Sequence, residues 1–349
     1  MNGHFLLQRT EIDSVAIFRA LQVGDMLCSV PALRALRAAQ PHAKVTLIGL
    51  PWAQQFADRF SRYIDEFVAF PGHPDLHEQQ AQRDLLASFY EAMQARRFSL
   101  ALQMHGSGEI SNGIVKNLGA RWSAGYAIPG YVNSDPFFRT LPYPDHGPEP
   151  LRLLDFMTAL GARPMGAHLE FPLSRDDWDE LQASGLAAGI KPGNYVCIHP
   201  GARFLDKCWP PRRFAQIADQ LALEFGLPIV LTGSAKEVEL TNEVARHMAT
   251  PALNAAGPIS IGAMAALMSQ ARLLICNDTG VSHIAAGLRL NSVVIFSKAD
   301  LIRWAPLDQQ LHRCVWDPAG DQMHEVFAQA CLLLASSNSP GRTVPSPCQ

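Results

Sequence analysis

The chain has 349 residues, 48% hydrophobic and 17% charged. That is a globular composition long enough for about two domains, and it excludes a disordered, charge-rich chain. Twenty-nine Lys and Arg against 32 Asp and Glu leave a formal charge of -3, which excludes a protein that coats nucleic acid by bulk charge.

The N-terminus lacks a basic start followed by a long apolar run, and no stretch approaches the roughly 18 apolar residues of a spanning helix. SVAIFRA (14–20) reads as a buried strand, and a Gly-containing turn and a helix over 26–39 follow it. KVTLIGL (44–50), IDEFVAF (64–70) and FSLALQM (98–104) read as further strands, with helical patterns at 52–60 and 80–96 between them. The βαβ rhythm predicts a parallel sheet with helices on both faces. Six prolines between Pro129 and Pro150 predict a loop or extended excursion over 127–150, and a helix follows to about 161.

A linker near 165–190 contains the helical segment SRDDWDELQASGL, and the rhythm then restarts. NYVCIHPG (194–201), LPIVLTGS (227–234), ARLLICND (271–278) and SVVIFS (292–297) read as strands. Helices are expected at 212–226, 236–248, 260–270 and 280–288, the first closed by Gly226. The Ser- and Pro-rich residues 336–349 read as a disordered tail. The domains divide as 1–170 and 171–335, and the ligand cleft is expected between them at the carboxyl ends of the strands.

The seven cysteines are scattered, odd in number and without a CxxC pair. This fits a reducing compartment and neither a disulfide framework nor a zinc site. A soluble cytoplasmic protein is the simplest expectation.

Four segments could carry chemistry. In ALQVGDMLCSVPALRAL (20–36), Gly24 allows close approach of a ligand, and Asp25 stands where a helix begins. Asp25 reads either as an N-cap or as a carboxylate general base. In CIHPGARFLDKCWPPRRF (197–214), a strand ends at His199, and Arg203 and Lys207 follow on the loop. Such cations suit a pyrophosphate, or else form a solvated basic loop. In VLTGSAKEVEL (230–240), Thr232 and Gly233 open a helix, and Glu237 and Glu239 either complement its dipole or hold a ribose diol. In LLICNDTGVSHIAAGL (273–288), a buried strand delivers Asp278, Thr279 and Gly280 to a helix N-terminus suited to phosphate, with His283 one turn on.

Other matches fail. HGSGEISNG (105–113) lacks the third glycine of a dinucleotide fingerprint, and there is no P-loop. Asp177-Trp178-Asp179 has the Asp-x-Asp spacing of a metal loop, but Ser174 ahead of it marks a helix start. His73 and His77 fall in a Pro-Gly turn rather than on a zinc helix.

Taken in order, Gly24-Asp25 with Pro31-Ala32-Leu33, His199-Pro200-Gly201 with Lys207-Cys208-Trp209-Pro210, Thr232-Gly233 through Glu237, and Asn277-Asp278-Thr279-Gly280 with His283 resemble glycosyltransferase family 9. This is the ADP-heptose:lipopolysaccharide heptosyltransferase family, and the resemblance covers roughly residues 14–298. It implies an α/β GT-B fold, two Rossmann-like domains with parallel sheets facing a cleft, the first domain holding the acceptor and the second the nucleotide-sugar. It implies an inverting transferase with Asp25 as base and Lys207 neutralising the leaving diphosphate. Donor-binding residues would be Gly24, His199, Arg203, Thr232, Gly233, Asp278, Thr279, Gly280 and His283, with Glu237 or Glu239 on the ribose. His105 and Ser107 would face the acceptor.

No cofactor and no metal is expected, with ADP-heptose as a substrate. The partners implied are that donor and a lipid-linked glycan acceptor of the lipopolysaccharide inner core, and no nucleic acid. Peripheral contact with the cytoplasmic face of the inner membrane follows, for which Arg34 and Arg37 beside Asp25 are candidates. Transfer of another nucleotide-activated sugar, or a non-catalytic nucleotide-sugar-binding role, are the alternatives.

Overall fold

The computed structural model describes residues 5–336, and the chain divides after Ala167 into two compact units. The expected tail lies, beyond Ser336, outside the described residues. In the first unit the elements are β1 (Ser14–Phe18), α1 (Val23–Cys28), α2 (Val30–Ala39), β2 (Lys44–Gly49), α3 (Gln54–Arg59), β3 (Glu66–Ala69), α4 (Arg83–Ala95), β4 (Leu100–Gln103), α5 (Ser111–Asn117), β5 (Trp122–Ala127), β6 (Phe138–Pro142) and α6 (Glu149–Ala159). In the second they are α7 (Arg175–Ser184), β7 (Val196–His199), α8 (Pro211–Phe225), β8 (Ile229–Leu231), α9 (Val238–His247), β9 (Ala252–Asn254), α10 (Ile261–Ser269), β10 (Leu273–Asn277), α11 (Gly280–Leu288), β11 (Ser292–Phe296), α12 (Leu301–Trp304), β12 (His312–Trp316) and α13 (Met323–Ser336).

Each unit carries one parallel sheet, ordered β3-β2-β1-β4-β5-β6 in the first and β12-β11-β10-β7-β8-β9 in the second. Counted from the first strand of each unit, both orders read 3-2-1-4-5-6, the Rossmann arrangement. The order reverses between β1 and β4 in one unit and between β7 and β10 in the other. A crevice opens there because neighbouring crossover connections leave in opposite directions. Helices cover both faces, so central strands such as β10 and β11 are buried along their whole length. Phe18, Ile48, Phe70 and Leu118 anchor one core, and Phe214, Leu231, Ile275 and Val293 the other.

The structure differs from the sequence reading in several places. The helix expected over 26–39 begins at Val23 and breaks at Ser29. The Ser29 hydroxyl donates to the Met26 carbonyl at 2.6 Å, and Pro31 cannot continue the α1 hydrogen-bond ladder. Gly24 is therefore a buried helical residue, not part of a turn. The proline-rich excursion contains β6, which pairs in parallel with β5. It is an edge strand, where a proline such as Pro142 costs no ladder bond on its open side. The reading also missed α5, β5, β9, α12, β12 and α13.

Asp177 does close a capping box with Ser174, each side chain bonded to the other's backbone N–H, at 3.2 and 2.8 Å. Arg34 donates to the carbonyls of Met165 and Gly166, and Arg37 to Asp65 and the carbonyls of Ala43 and Tyr63. Both guanidinium groups thus tie α2 to its own unit. Among the described residues no helix is long and apolar enough to cross a membrane.

Candidate active site

In the second unit, β7 and β10 lie side by side at the strand-order reversal, with His199 opposite Cys276. The residues just beyond their carboxyl ends are those the sequence singled out. Asn277, buried at the end of β10, accepts from the Trp209 N–H at 2.8 Å and donates to the Pro200 carbonyl at 2.7 Å. One side chain thus pins both ends of the loop that carries Arg203 and Lys207. The Trp209 indole, 1% exposed, donates to Asp317 at 2.7 Å. Asp317 also accepts the N–H groups of Gly320, Asp321 and Gln322 at 2.8–3.0 Å. Burial works to raise the Asp317 pKa, but the donors at Gln322, Trp209, Asp321 and Gly320 together hold it below the usual carboxylate range. The Lys207 carbonyl accepts from Ser297 beyond β11 at 3.0 Å. Lys207 is half-buried on this braced segment, whereas Arg203 is exposed and lies over the Phe204 ring.

His199 is buried, with Nδ1 3.2 Å from the Thr232 hydroxyl and Nε2 3.9 Å from Glu237. Burial lowers its pKa against the opposing pull of Glu237, so the ring is neutral near pH 7. Glu237 accepts from both the N–H and the hydroxyl of Ser234 at 2.7 Å and lies against Gly201, where an added Cβ would stand 1.9 Å from its Oε1. Gly233 is confined less severely, with Ala256, Glu237 and Thr241 3.2–3.3 Å from an added Cβ. Glu239 instead is exposed and paired with Arg246 at 2.9 Å.

Beyond β10, the Asp278 N–H bonds to the Ile295 carbonyl at 2.9 Å. Thr279 caps α11 in extended conformation without a side-chain cap bond, and its carbonyl accepts the Ser282 N–H at 3.0 Å, so the Gly280 and Val281 N–H groups are the first-turn donors that the helix itself does not satisfy. Asp278, Thr279 and Gly280 are half-buried at this helix mouth, and His283 is buried edge-on against Trp304. Asp177 and Asp179 do not converge: the first is in its capping box, and the second faces Arg175 at 3.6 Å. Among the described residues no group of His, Cys, Asp and Glu could hold a metal ion.

In the first unit, the corresponding reversal places β1 beside β4. Asp25 sits half-buried in the first turn of α1. His105, just after β4, is buried and stacks on Phe18, and its Nδ1 accepts the Ala20 N–H at 3.2 Å. Burial, and then the positive charge of Arg19, press its pKa down to about 3. The ring is therefore neutral, and its 3.7 Å approach to Glu78 is not an ion pair. Ser107 is half-exposed on the following loop, which Gln103 and Ser111 hold by bonds to the His105 carbonyl. His105 thus supports the loop from beneath, and of the two residues expected to face the acceptor Ser107 is the accessible one.

Sequence reasoning missed Arg19, Glu149 and Asp317 and left Trp209 and Asn277, both within the motifs, without a role. A charge closing the apolar run SVAIFRA was the one available signal, for Arg19.

The family model for glycosyltransferase family 9 (heptosyltransferase) matches residues 156–330, half of the chain and all of the second-unit segments just described. The chain belongs to glycosyltransferase family 9. It is therefore a glycosyltransferase. Lipopolysaccharide heptosyltransferase 3 of Escherichia coli is 24% identical over 300 residues, 81% of this chain and 83% of that one. The family 9 glycosyltransferase of Veillonella parvula DSM 2008 superposes with a TM-score of 0.78 at 18% identity, over 94% of this chain and 99% of that one. The E. coli ADP-heptose lps heptosyltransferase II structure gives 0.72 at 19% identity, over 93% and 100%. The family 9 fold is GT-B, and both Rossmann-like units are present here.

Proposed function

We propose that this family 9 enzyme transfers a heptosyl group from ADP-heptose, with inversion, to a hydroxyl of the lipopolysaccharide inner core. What supports the reading most is the set of groups at the β7–β10 reversal: a neutral His199, Glu237 beneath Gly201, the braced Lys207 segment and the open mouth of α11. The names of the relatives, lipopolysaccharide heptosyltransferase 3 and ADP-heptose lps heptosyltransferase II, point to the same donor and acceptor.

In this mechanism Asp25 takes the proton of the acceptor hydroxyl as its oxygen bonds to the anomeric carbon. The bond from that carbon to ADP breaks, and the electron pair leaves on the diphosphate. Lys207 and the first turn of α11 offset the charge that develops there. Asp278, Thr279, Gly280 and His283 hold the sugar and pyrophosphate, with Arg203 at the loop's exposed edge. Glu237, rather than Glu239, holds the ribose, near Thr232, Gly233 and His199. The loop carrying Ser107 and supported by His105 receives the acceptor beside Asp25, and Gly24, which the resemblance gives to the donor, packs in the first turn of α1 behind it. The first domain thus serves the acceptor and the second the donor, at the cytoplasmic face of the inner membrane.

Two measurements test this. In a binding panel of ADP-, UDP- and GDP-sugars, ADP compounds bind, and their failure to bind overturns the donor assignment. Asp25→Asn leaves ADP affinity within about twofold and lowers turnover by about 100-fold or more, the usual worth of a general base. Near-normal turnover removes Asp25 from the mechanism.

A further inference from the structure

Arg19 follows directly on β1 and is 1% exposed, among the largest side chains wholly buried in the molecule. Its Nε and Nη2 both donate to the Asp25 carbonyl, at 3.1 and 2.7 Å. Nη1 donates to the Met104 carbonyl, at the carboxyl end of β4, and Nη2 lies 3.4 Å from Glu149. Glu149, at the start of α6, is buried too and faces Arg152 at 3.5 Å, whose guanidinium lies over the Tyr143 ring.

The Asp25 carbonyl accepts both bonds close to where α1 ends, at Cys28. The N–H four residues on, at Ser29, bonds to Met26 instead. A buried guanidinium is a costly way to satisfy two carbonyls, since its desolvation is offset only by Glu149 and close hydrogen bonds. What it provides that an apolar side chain does not is a rigid planar fork. That fork joins the turn carrying Asp25 to the strand end carrying His105.

We propose that Arg19, held by Glu149, is a positioning residue for Asp25: it fixes the first turn of α1 against the end of β4 so that the carboxylate meets the acceptor hydroxyl. This deepens the reading of Asp25 as the base and rests on it. Arg19 acts through Asp25 and its backbone, and it contributes nothing to holding the nucleotide.

The test compares Arg19→Met, Arg19→Lys and Asp25→Asn in the full-length enzyme, measuring kcat, donor KM, ADP affinity by calorimetry and Tm. Arg19→Met lowers kcat by about 100-fold, the usual cost of an ångström-scale misplacement, while KM and ADP affinity stay within about twofold. Arg19→Lys restores the charge beside Glu149 but not the fork, and it recovers kcat to about tenfold below wild type.

A kcat for Arg19→Met within about threefold of wild type overturns the proposal, and so does a loss of ADP affinity in parallel with kcat, which marks general structural damage. If Arg19→Met does not fold, Arg19→Lys decides: a tenfold lower kcat at unchanged KM supports the proposal, and wild-type kcat overturns it. An active Asp25→Asn fells the base assignment and this proposal together. An inactive Asp25→Asn beside a fully active Arg19→Met fells this proposal alone.

Discussion

Gly201→Ala tests the proposed nucleotide site through one added methyl group. The new Cβ would stand 1.9 Å from Glu237 Oε1 and 2.5 Å from its Cδ, against an ordinary contact of 3.4 Å or more. The carboxylate must therefore retreat by about 1.5 Å, the difference between those two Oε1 distances. A flexible glutamate can do so cheaply as far as folding is concerned. It gives up the bonds from the Ser234 N–H and hydroxyl, a cap worth about 0.5–2 kcal/mol. In a unit of this size that is a Tm loss of a few degrees, about 2–4 °C per kcal/mol. The ligand pays more heavily. Charge-assisted hydrogen bonds to ribose hydroxyls are worth about 1.5–3 kcal/mol each, so losing one good bond or weakening two removes about 2–3 kcal/mol. ADP then binds about 30- to 150-fold more weakly, at 1.4 kcal/mol per decade. Isothermal titration with ADP measures this directly, with Glu237→Gln as the matching loss and Glu239→Gln as the control that stays within about twofold. Gly201→Ala and Glu237→Gln both binding ADP within about threefold of wild type would refute the assignment of Glu237 to the ribose.

Two further predictions concern pH. His105 has its folded pKa depressed to about 3, so its contribution to stability is complete above its ordinary value of about 6.5 and is lost as pH falls from there toward 3. Between pH 7.5 and 5.5 the loss is about 1.4 kcal/mol, and His105→Asn, whose Oδ1 can take the Ala20 N–H, flattens the urea-unfolding profile by that amount. An unchanged slope contradicts the neutral, buried ring. Asp317, depressed below its ordinary value, stabilises fully above about pH 4 and loses this as pH falls through its folded pKa. Asp317→Asn accordingly destabilises the second unit by about 2–3 kcal/mol at pH 7 and by less near pH 3, and equal destabilisation at both rules out a carboxylate role.

Much of the fold was legible because parallel strands covered on both faces must be apolar along their length, as in SVVIF and LLICN, and the helices between them must be amphipathic. The missed strands are those for which this logic fails. β6 is an edge strand bearing Pro142, β5 contains Gly125, where Asn112 and Gln103 leave no room for a Cβ, and β9 has three half-buried residues. The site followed the same division. Asp25, Lys207 and Asp278 stand beside glycines and prolines in recognisable order, so their places at strand ends could be read. Arg19 and Glu149 are 130 residues apart in the chain, and Trp209 and Asp317 are 108 apart. No local pattern joins either pair.

The sequence by itself determined two βαβ units, the strand ends at which the polar residues emerge, and the family those residues resemble. Periodicity and turn chemistry are local, so they survive without coordinates. Which of two candidate glutamates lies under Gly201, which arginine clamps the carbonyl of Asp25, and whether a histidine is charged or neutral were decided only by the tertiary structure. Each depends on what burial removes from water and on what the opposite side of the fold supplies in its place.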